Sequence, residues 1–135
     1  MIAAPDVAVT SLFELLDEWR RLTLGETRAI EALDWNKLRD LHSRKTGLQT
    51  RIARREEEAF GPTSLATPKR AVEKRRLRES VEELAALERK NGELLANLMA
   101  SDKRHLENSG QTLRSLRFVQ KAYAKTAQSF WHSYS

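Results

Sequence analysis

The sequence predicts an all-α protein: an elongated antiparallel helical hairpin followed by a long C-terminal helix, in a three-helix, coiled-coil-like bundle. Apolar residues recur at three- and four-residue steps along most of the chain, which is the spacing of one face of a helix. Charged residues make up 32% of the 135 residues, and the whole chain contains only five glycines and three prolines, the residues that break helices. No segment alternates apolar and polar residues over a strand's length, so we expect no sheet.

The N-terminal part predicts a loose tail over residues 1–10 and a first helix over residues 11–33. Ser11 followed by Glu14 fits a capping box, which marks the start of a helix. Gly25 lies inside this helix at a cost of about 1 kcal/mol relative to alanine, which the strong pattern outweighs. The apolar face consists of Leu12, Leu15, Leu16, Trp19, Leu22, Ala29, Ile30 and Leu33.

The apolar stripe changes phase at Asp34, which predicts a tight turn and a second helix over residues 35–60. Aspartate is a good N-cap residue because its carboxylate accepts hydrogen bonds from the free amides of the following turn. The apolar face of this helix consists of Trp35, Leu38, Leu41, Leu48 and Ile52. Glycine, prolines and small polar residues over 61–68 then predict a loop.

A long third helix is predicted over residues 69–132, and only Ser109-Gly110 indicates a break. Unbroken, it would be about 95 Å long, whereas each of the first two helices would be about 35 Å. The first pair can therefore cover less than half of it. The C-terminal part must overhang, fold back or meet a partner, and all 135 residues form a single helical domain in each case.

The C-terminal part of this helix carries the candidate partner-binding residues. They share one helix face and are Leu113, Leu116, Val119, Tyr123, Phe130 and Trp131. Two interpretations stay open at this point. The stripe either docks on the protein's own core, as apolar stripes usually do, or is kept for a partner.

A basic ridge at the start of the same helix is formed by Arg70, Lys74 and Arg78 at four-residue spacing. Residues 69–78 hold six basic residues against one acidic residue, which accounts for the whole net charge of +5. Such a ridge can contact nucleic acid phosphates, an acidic protein surface or only solvent. No aromatic residue is interleaved for base stacking, so nucleic acid is the weakest of the three interpretations.

The sequence carries no sign of an enzyme, a cofactor site or a metal site. Cysteine is absent, which excludes disulfides and thiolate metal sites. His42, His105 and His132 lie far apart and outside any metal-binding motif, and glycines occur only singly. No apolar run approaches the roughly 20 residues that cross a bilayer, and residues 1–10 do not fit a secretory signal. We therefore expect a cytoplasmic protein without membrane insertion.

Two segments carry a resemblance to FlgN-type flagellar export chaperones. The fitting residues of the first are Glu26, Ala29, Ile30, Asp34, Leu38, Leu41, Lys45 and Leu48. Those of the second are Asn91, Gly92, Leu94, Leu95, Leu113, Leu116 and Tyr123. The Asp34-Trp35 step is also similar to FliT-type chaperones, to which the resemblance is weaker. Glu88, Ala124 and Ala127 depart from the FlgN pattern, which has an asparagine and then glycines there.

This resemblance implies a cytoplasmic, non-enzymatic chaperone. Such proteins bind hook-filament junction (hook-associated) proteins before flagellar export and guide them to the export gate. An amphipathic helix of the client would lie in an apolar groove of the chaperone. Two other classes stay open: a coiled-coil scaffold that self-associates as a homodimer, and a basic helical nucleic-acid-binding protein.

Overall fold

The computed structural model of this chain describes residues 5–61, 67–101 and 110–134, with side chains over 7–61, 67–101 and 113–126. These residues form four α-helices: α1 (Pro5–Glu31), α2 (Trp35–Phe60), α3 (Pro68–Ser101) and α4 (Gly110–Tyr134). No strand occurs within the described ranges. The predicted all-α fold class is confirmed.

The four helices form two hairpins that pack side by side. α1 packs along α2, α3 packs along α4, and α1 also packs against α3. α1 and α3 run in the same direction, because Arg20 pairs with Glu83 and Thr27 further along α1 bonds Asn91 further along α3. α2 meets α4 over a much smaller contact area, so a groove remains between those two helices.

The first helix begins earlier than the sequence predicts. Its first residue is Pro5, whereas a loose tail was predicted to extend to residue 10. Proline suits the first turn of a helix, where its missing N–H would have no partner within the helix. Ala8 and Val9 are buried against Ala59 of α2, and this apolar contact stabilises the additional N-terminal turns of α1. The predicted capping box at Ser11 is therefore wrong, since Ser11 lies within α1.

The turn between α1 and α2 forms where the change of phase predicts it. α1 ends at Glu31, two residues before the predicted position, and Leu33 adopts the left-handed conformation with φ 57°. The amide of Asp34 then donates to the carbonyl of Ala29 over 2.8 Å. Asp34 is the N-cap of α2, and its Oδ1 accepts from the amide of Lys37 over 3.2 Å.

The prediction of one long helix over 69–132 is wrong. α3 ends at Ser101, α4 begins at Gly110, and α4 lies back along α3. Of the three alternatives for the C-terminal part, the chain folds back. The reason is apolar cover: Leu116 and Tyr123 are fully buried only because α4 packs on the other helices. The predicted break at 109–110 adjoins this start, and Ser109 itself lies outside the described residues.

The core consists of two apolar clusters at different levels of the bundle. The first joins α1, α2 and α3 and contains Leu12, Leu15, Leu16, Trp19, Leu48, Ile52, Leu77, Val81 and Leu84. The second joins all four helices and contains Ala29, Ile30, Leu38, Leu95, Leu116, Val119 and Tyr123. Buried polar side chains lie between the two clusters.

Candidate binding groove and the buried polar layer

A layer of buried polar side chains divides the core. Its members are Thr23, Glu26, Lys45, Glu88 and Asn91, each at most 2% exposed. Burying a charged group is costly unless it is paired and hydrogen-bonded, so the contacts within this layer decide whether it is tolerated.

Lys45 of α2 is the centre of the layer. Its ammonium Nζ lies 2.7 Å from Oε1 of Glu26 on α1 and also contacts Oε1 of Glu88 on α3. Nζ lies 4.6 Å from the centre of the Trp19 ring and 5.3 Å from that of Tyr123, which are cation–π distances. One buried cation therefore contacts side chains from every other helix of the bundle.

Uncharged groups complete the link between α1 and α3. The indole Nε1 of Trp19 donates to Oε1 of Glu88 over 3.0 Å, and Nδ2 of Asn91 donates to the carbonyl of Thr23 over 3.0 Å. Next to Asn91, Gly92 faces α4, since a Cβ there would lie 3.4 Å from Cβ of Tyr123, in ordinary van der Waals contact. The Asn-Gly step within a helix thus joins α3 to α1 on one side and to α4 on the other.

The electrostatics of the layer are unbalanced. Two carboxylates face one ammonium, so one formal negative charge lacks a buried counter-charge when both carboxyls are ionised. Burial raises the pKa of Glu88 above its ordinary value, although Lys45 opposes this shift. Burial also raises the pKa of Tyr123, and the negative charges of Glu26 and Glu88 add to the effect. His42 lies near, with Nδ1 3.6 Å from Oε2 of Glu26, which is too long for a hydrogen bond.

The groove between α2 and α4 opens directly above this layer and encloses about 600 Å³. Its floor is formed by Trp19, Lys45 and Ile52. The α2 wall consists of His42, Thr46, Gln49, Ala53 and Glu56. The α4 wall consists of Phe118, Lys121, Ala122, Lys125 and Thr126. The surface that lines the groove is mainly apolar, whereas its α4 rim carries Lys121 and Lys125.

Phe118 is the most exposed large apolar residue of the described chain, at 69%. Its ring meets that of His42 edge-on with the centroids 6.4 Å apart, and both side chains line the groove. Further along α4 the exposed residues Lys121 and Lys125 continue the same rim. The sequence of α4 contains no aspartate or glutamate, so the charge of this helix is of one sign.

The predicted partner-binding stripe does not form a free face. Leu116, Val119 and Tyr123 are buried in the second apolar cluster, and Leu113 packs against it. The partner interpretation is therefore wrong for the first three, because a side chain without exposed surface cannot contact a partner. Phe130 and Trp131 belong to α4, but their side chains lie outside the described residues, so their role stays a prediction.

The basic ridge is only partly free. Arg70 is half-buried, with Nη1 2.6 Å from Oε2 of Glu73 and its guanidinium 5.4 Å from the centre of the Phe60 ring. Lys74 and Arg78 are exposed, as predicted for a cationic surface. The three residues of the ridge are therefore not equally available to a partner, since Arg70 also packs against the end of α2.

Sequence reasoning missed Phe118, Lys121 and Lys125 as candidate site residues. Phe118 falls outside the apolar stripe of α4 and so resembled an incidental surface aromatic residue. The available signal was charge: α4 combines four Lys and Arg residues with no acidic residue. Apolar periodicity does not reveal an aromatic residue that lies among cations on the outward face of a helix.

Comparison with protein-family models, with curated proteins and with solved structures found no match for this chain. The described residues contain no group of side chains that could hold a metal ion. Within the same part of the chain, no helix combines the length and apolarity needed to cross a bilayer. Over the described residues, fold and groove thus define a bundle of four helices with an apolar surface groove and a buried polar centre.

Proposed function

We propose that this chain is a non-enzymatic, cytoplasmic export chaperone. It binds an amphipathic helix of a hook-filament junction (hook-associated) protein before flagellar export and guides this client to the export gate. The observation that carries the proposal is the apolar groove between α2 and α4, with Phe118 exposed on its rim. The sequence resemblance to FlgN-type chaperones supplies the class of client.

The physical argument for helix binding is the apolar lining of the groove. Ala53, Ala122 and Phe118 line it with exposed apolar surface, which a bound apolar helix face would remove from water. Each square ångström of apolar area so removed contributes about 25 cal/mol. This is the helix-in-groove mode, in which apolar residues at three- and four-residue steps enter the groove.

The proposal moves the client site from the inward stripe of α4 to its outward face. Leu116 and Tyr123 hold the bundle together, so binding through them would require α4 to leave its place. The groove requires no such rearrangement. An open, solvated site also suits a chaperone, because its client must be released again before export.

The test is co-expression of the full chain with candidate hook-filament junction proteins, followed by size-exclusion chromatography with light scattering. We expect a stoichiometric complex that is lost in Phe118→Asp and when the terminal helix of the client is deleted. Val72→Asp is the matched control, because Val72 is 63% exposed on α3 and does not line the groove.

Three results would contradict the proposal. Absence of a complex with every candidate would remove the assigned client class. A complex that Phe118→Asp leaves intact would remove the groove as the client site. A homodimer of the chain alone that Phe118→Asp dissociates would instead assign the groove to a self-associating scaffold.

A further inference from the structure

We propose that the α2–α4 groove selects an amphipathic helix that carries acidic residues along the flank that faces α4. The inference rests on the proposed use of the groove as a helix site and adds the chemistry of the helix that it takes. It concerns charge, whereas the proposed function depends on the apolar lining.

The α4 side of the groove is basic: Lys121 and Lys125 line it, and Arg114 lies one helical turn before Phe118, outside the lining. Arg114, Lys121 and Lys125 share a helix face with Phe118, at steps of three and four residues. All three basic residues are exposed, and none forms a salt bridge with another described residue. These residues span about 16 Å along α4, or about three helical turns. Their charges are thus available to a partner.

The α2 side of the groove does not mirror this charge. Thr46, Gln49 and Ala53 form most of that wall and are uncharged, and the acidic residue Glu56 lines it further along α2. A helix in the groove therefore meets a basic rim along one flank and a largely neutral wall along the other. Acidic residues at three- or four-residue steps would face the basic rim, whereas lysines at the same positions would meet like charge.

The exposed apolar lining of the groove argues for a protein helix over a nucleic acid. Phosphates could contact Lys121 and Lys125, but a nucleic acid backbone offers no apolar strip to cover the exposed side chains of Ala53 and Phe118. An amphipathic helix satisfies both requirements together, because its apolar stripe and its charged flank are adjacent around the helix. The apolar lining and the basic rim together carry the choice, since neither feature alone would.

The experiment compares two fluorescently labelled helical peptides that share one leucine stripe. One carries glutamates on the flank and the other carries lysines at the same positions. Binding to the full chain is measured by fluorescence anisotropy at low and moderate salt. We expect the acidic peptide to bind at least about tenfold more tightly at low salt, with a smaller difference as salt screens the rim.

The variants test whether the basic rim causes this preference. Lys121→Glu with Lys125→Glu should remove or reverse the preference between the peptides. Lys74→Glu with Arg78→Glu is the matched control, because it makes the same change of charge on exposed residues of α3 that do not line the groove. The control should retain the preference for the acidic peptide.

Several outcomes would overturn the inference. These are equal binding of the two peptides, binding of neither peptide, an unchanged preference in the rim variant, or tighter binding of a double-stranded DNA probe that competes with the acidic peptide. Failure of the proposed function is distinguishable: the acidic peptide would bind, yet no hook-filament junction protein would. Conversely, a client complex that the rim variant leaves intact would support the chaperone and overturn the charge selection.

Discussion

Lys45 connects the helices of this protein through one ammonium group. Its carboxylate partners are on α1 and α3, and it also lies over aromatic rings of α1 and α4. Buried ion pairs add little net stability, because desolvation offsets the attraction between the charges. What such a pair does contribute is register, since only one alignment of the helices brings Glu26 and Glu88 to the same ammonium.

The first prediction concerns removal of this cation. Lys45→Met leaves two buried carboxylates without their counter-charge, and loss of one partner of a buried pair typically costs about 3–5 kcal/mol. We expect the free energy of unfolding, measured with urea, to fall by that amount at neutral pH. Arg20→Met is the control, because the Arg20–Glu83 pair is half-exposed and its loss should cost about 1 kcal/mol or less. Equal losses in both variants would show that the buried layer has no special role.

The second prediction concerns Glu88 and pH. Burial raises the pKa of this carboxyl, so the folded state binds its proton more tightly than the unfolded state does. The contribution of Glu88 to stability is thus fully present below the ordinary value of 4.5 and is lost as pH rises through the raised pKa. Glu88→Gln, which cannot ionise, should gain stability relative to wild type as pH rises from about 4 to about 7. Urea unfolding across this range measures the difference.

Glu83 provides the control for the pH dependence of Glu88→Gln. Glu83→Gln changes a half-exposed glutamate of the same helix and should show no such gain over the same pH range. A stability difference between Glu88→Gln and wild type that is constant with pH, or that shifts in favour of wild type as pH rises, would mean that Lys45 compensates fully for burial of the carboxyl.

The α1–α2 turn is an element whose conformation conflicts with its sequence. Leu33 has φ 57°, where the Cβ of an L-residue crowds the following carbonyl oxygen at a cost of about 1–2 kcal/mol. It is also 46% exposed, so little packing would be lost on its removal. The third prediction is that Leu33→Gly raises the free energy of unfolding by about 1 kcal/mol, measured by thermal or urea unfolding.

The comparison for this variant is Asp34→Ala, one residue later, which should lower the free energy of unfolding by about 1 kcal/mol through loss of the N-cap. A decrease in Leu33→Gly would show that the Leu33 side chain contributes more than the strain costs.

Local patterns in the sequence predict the elements better than they predict the helix ends. The phase shift and the cap at Asp34 place the start of α2 correctly, because both signals lie within a few residues of each other. The start of α1 at Pro5 is missed, since Ala8 and Val9 are too small to stand out in a periodic pattern. The separation of α3 from α4 is missed as well, because periodicity reports that a face is apolar and not which helix covers it.

At the scale of the whole molecule, the inward face of α4 fills the core and its outward face lines the groove. Sequence reasoning left both uses of the stripe open, because an apolar stripe is the same whether it is covered by the chain itself or by a partner. Lys45 entered the sequence analysis only as one of the residues that fit the FlgN pattern, since no local pattern reveals a buried charge. Only the packing of α1, α2 and α3 around it identifies the polar layer.

The last prediction separates a self-contained bundle from a coiled coil that forms by association. A coiled coil built through Leu116, Val119 and Tyr123 would need these side chains at its surface, whereas each is at most 2% exposed within the single chain. The midpoint of thermal unfolding, followed by circular dichroism, should therefore stay constant over an about hundredfold range of protein concentration. Tyr123→Ala should lower that midpoint through the cavity it leaves, and again without a dependence on concentration. A midpoint that rises with concentration in the wild-type chain would mean that a second copy completes the fold. The binding groove would then be one that the dimer forms, and not the α2–α4 groove of the single chain.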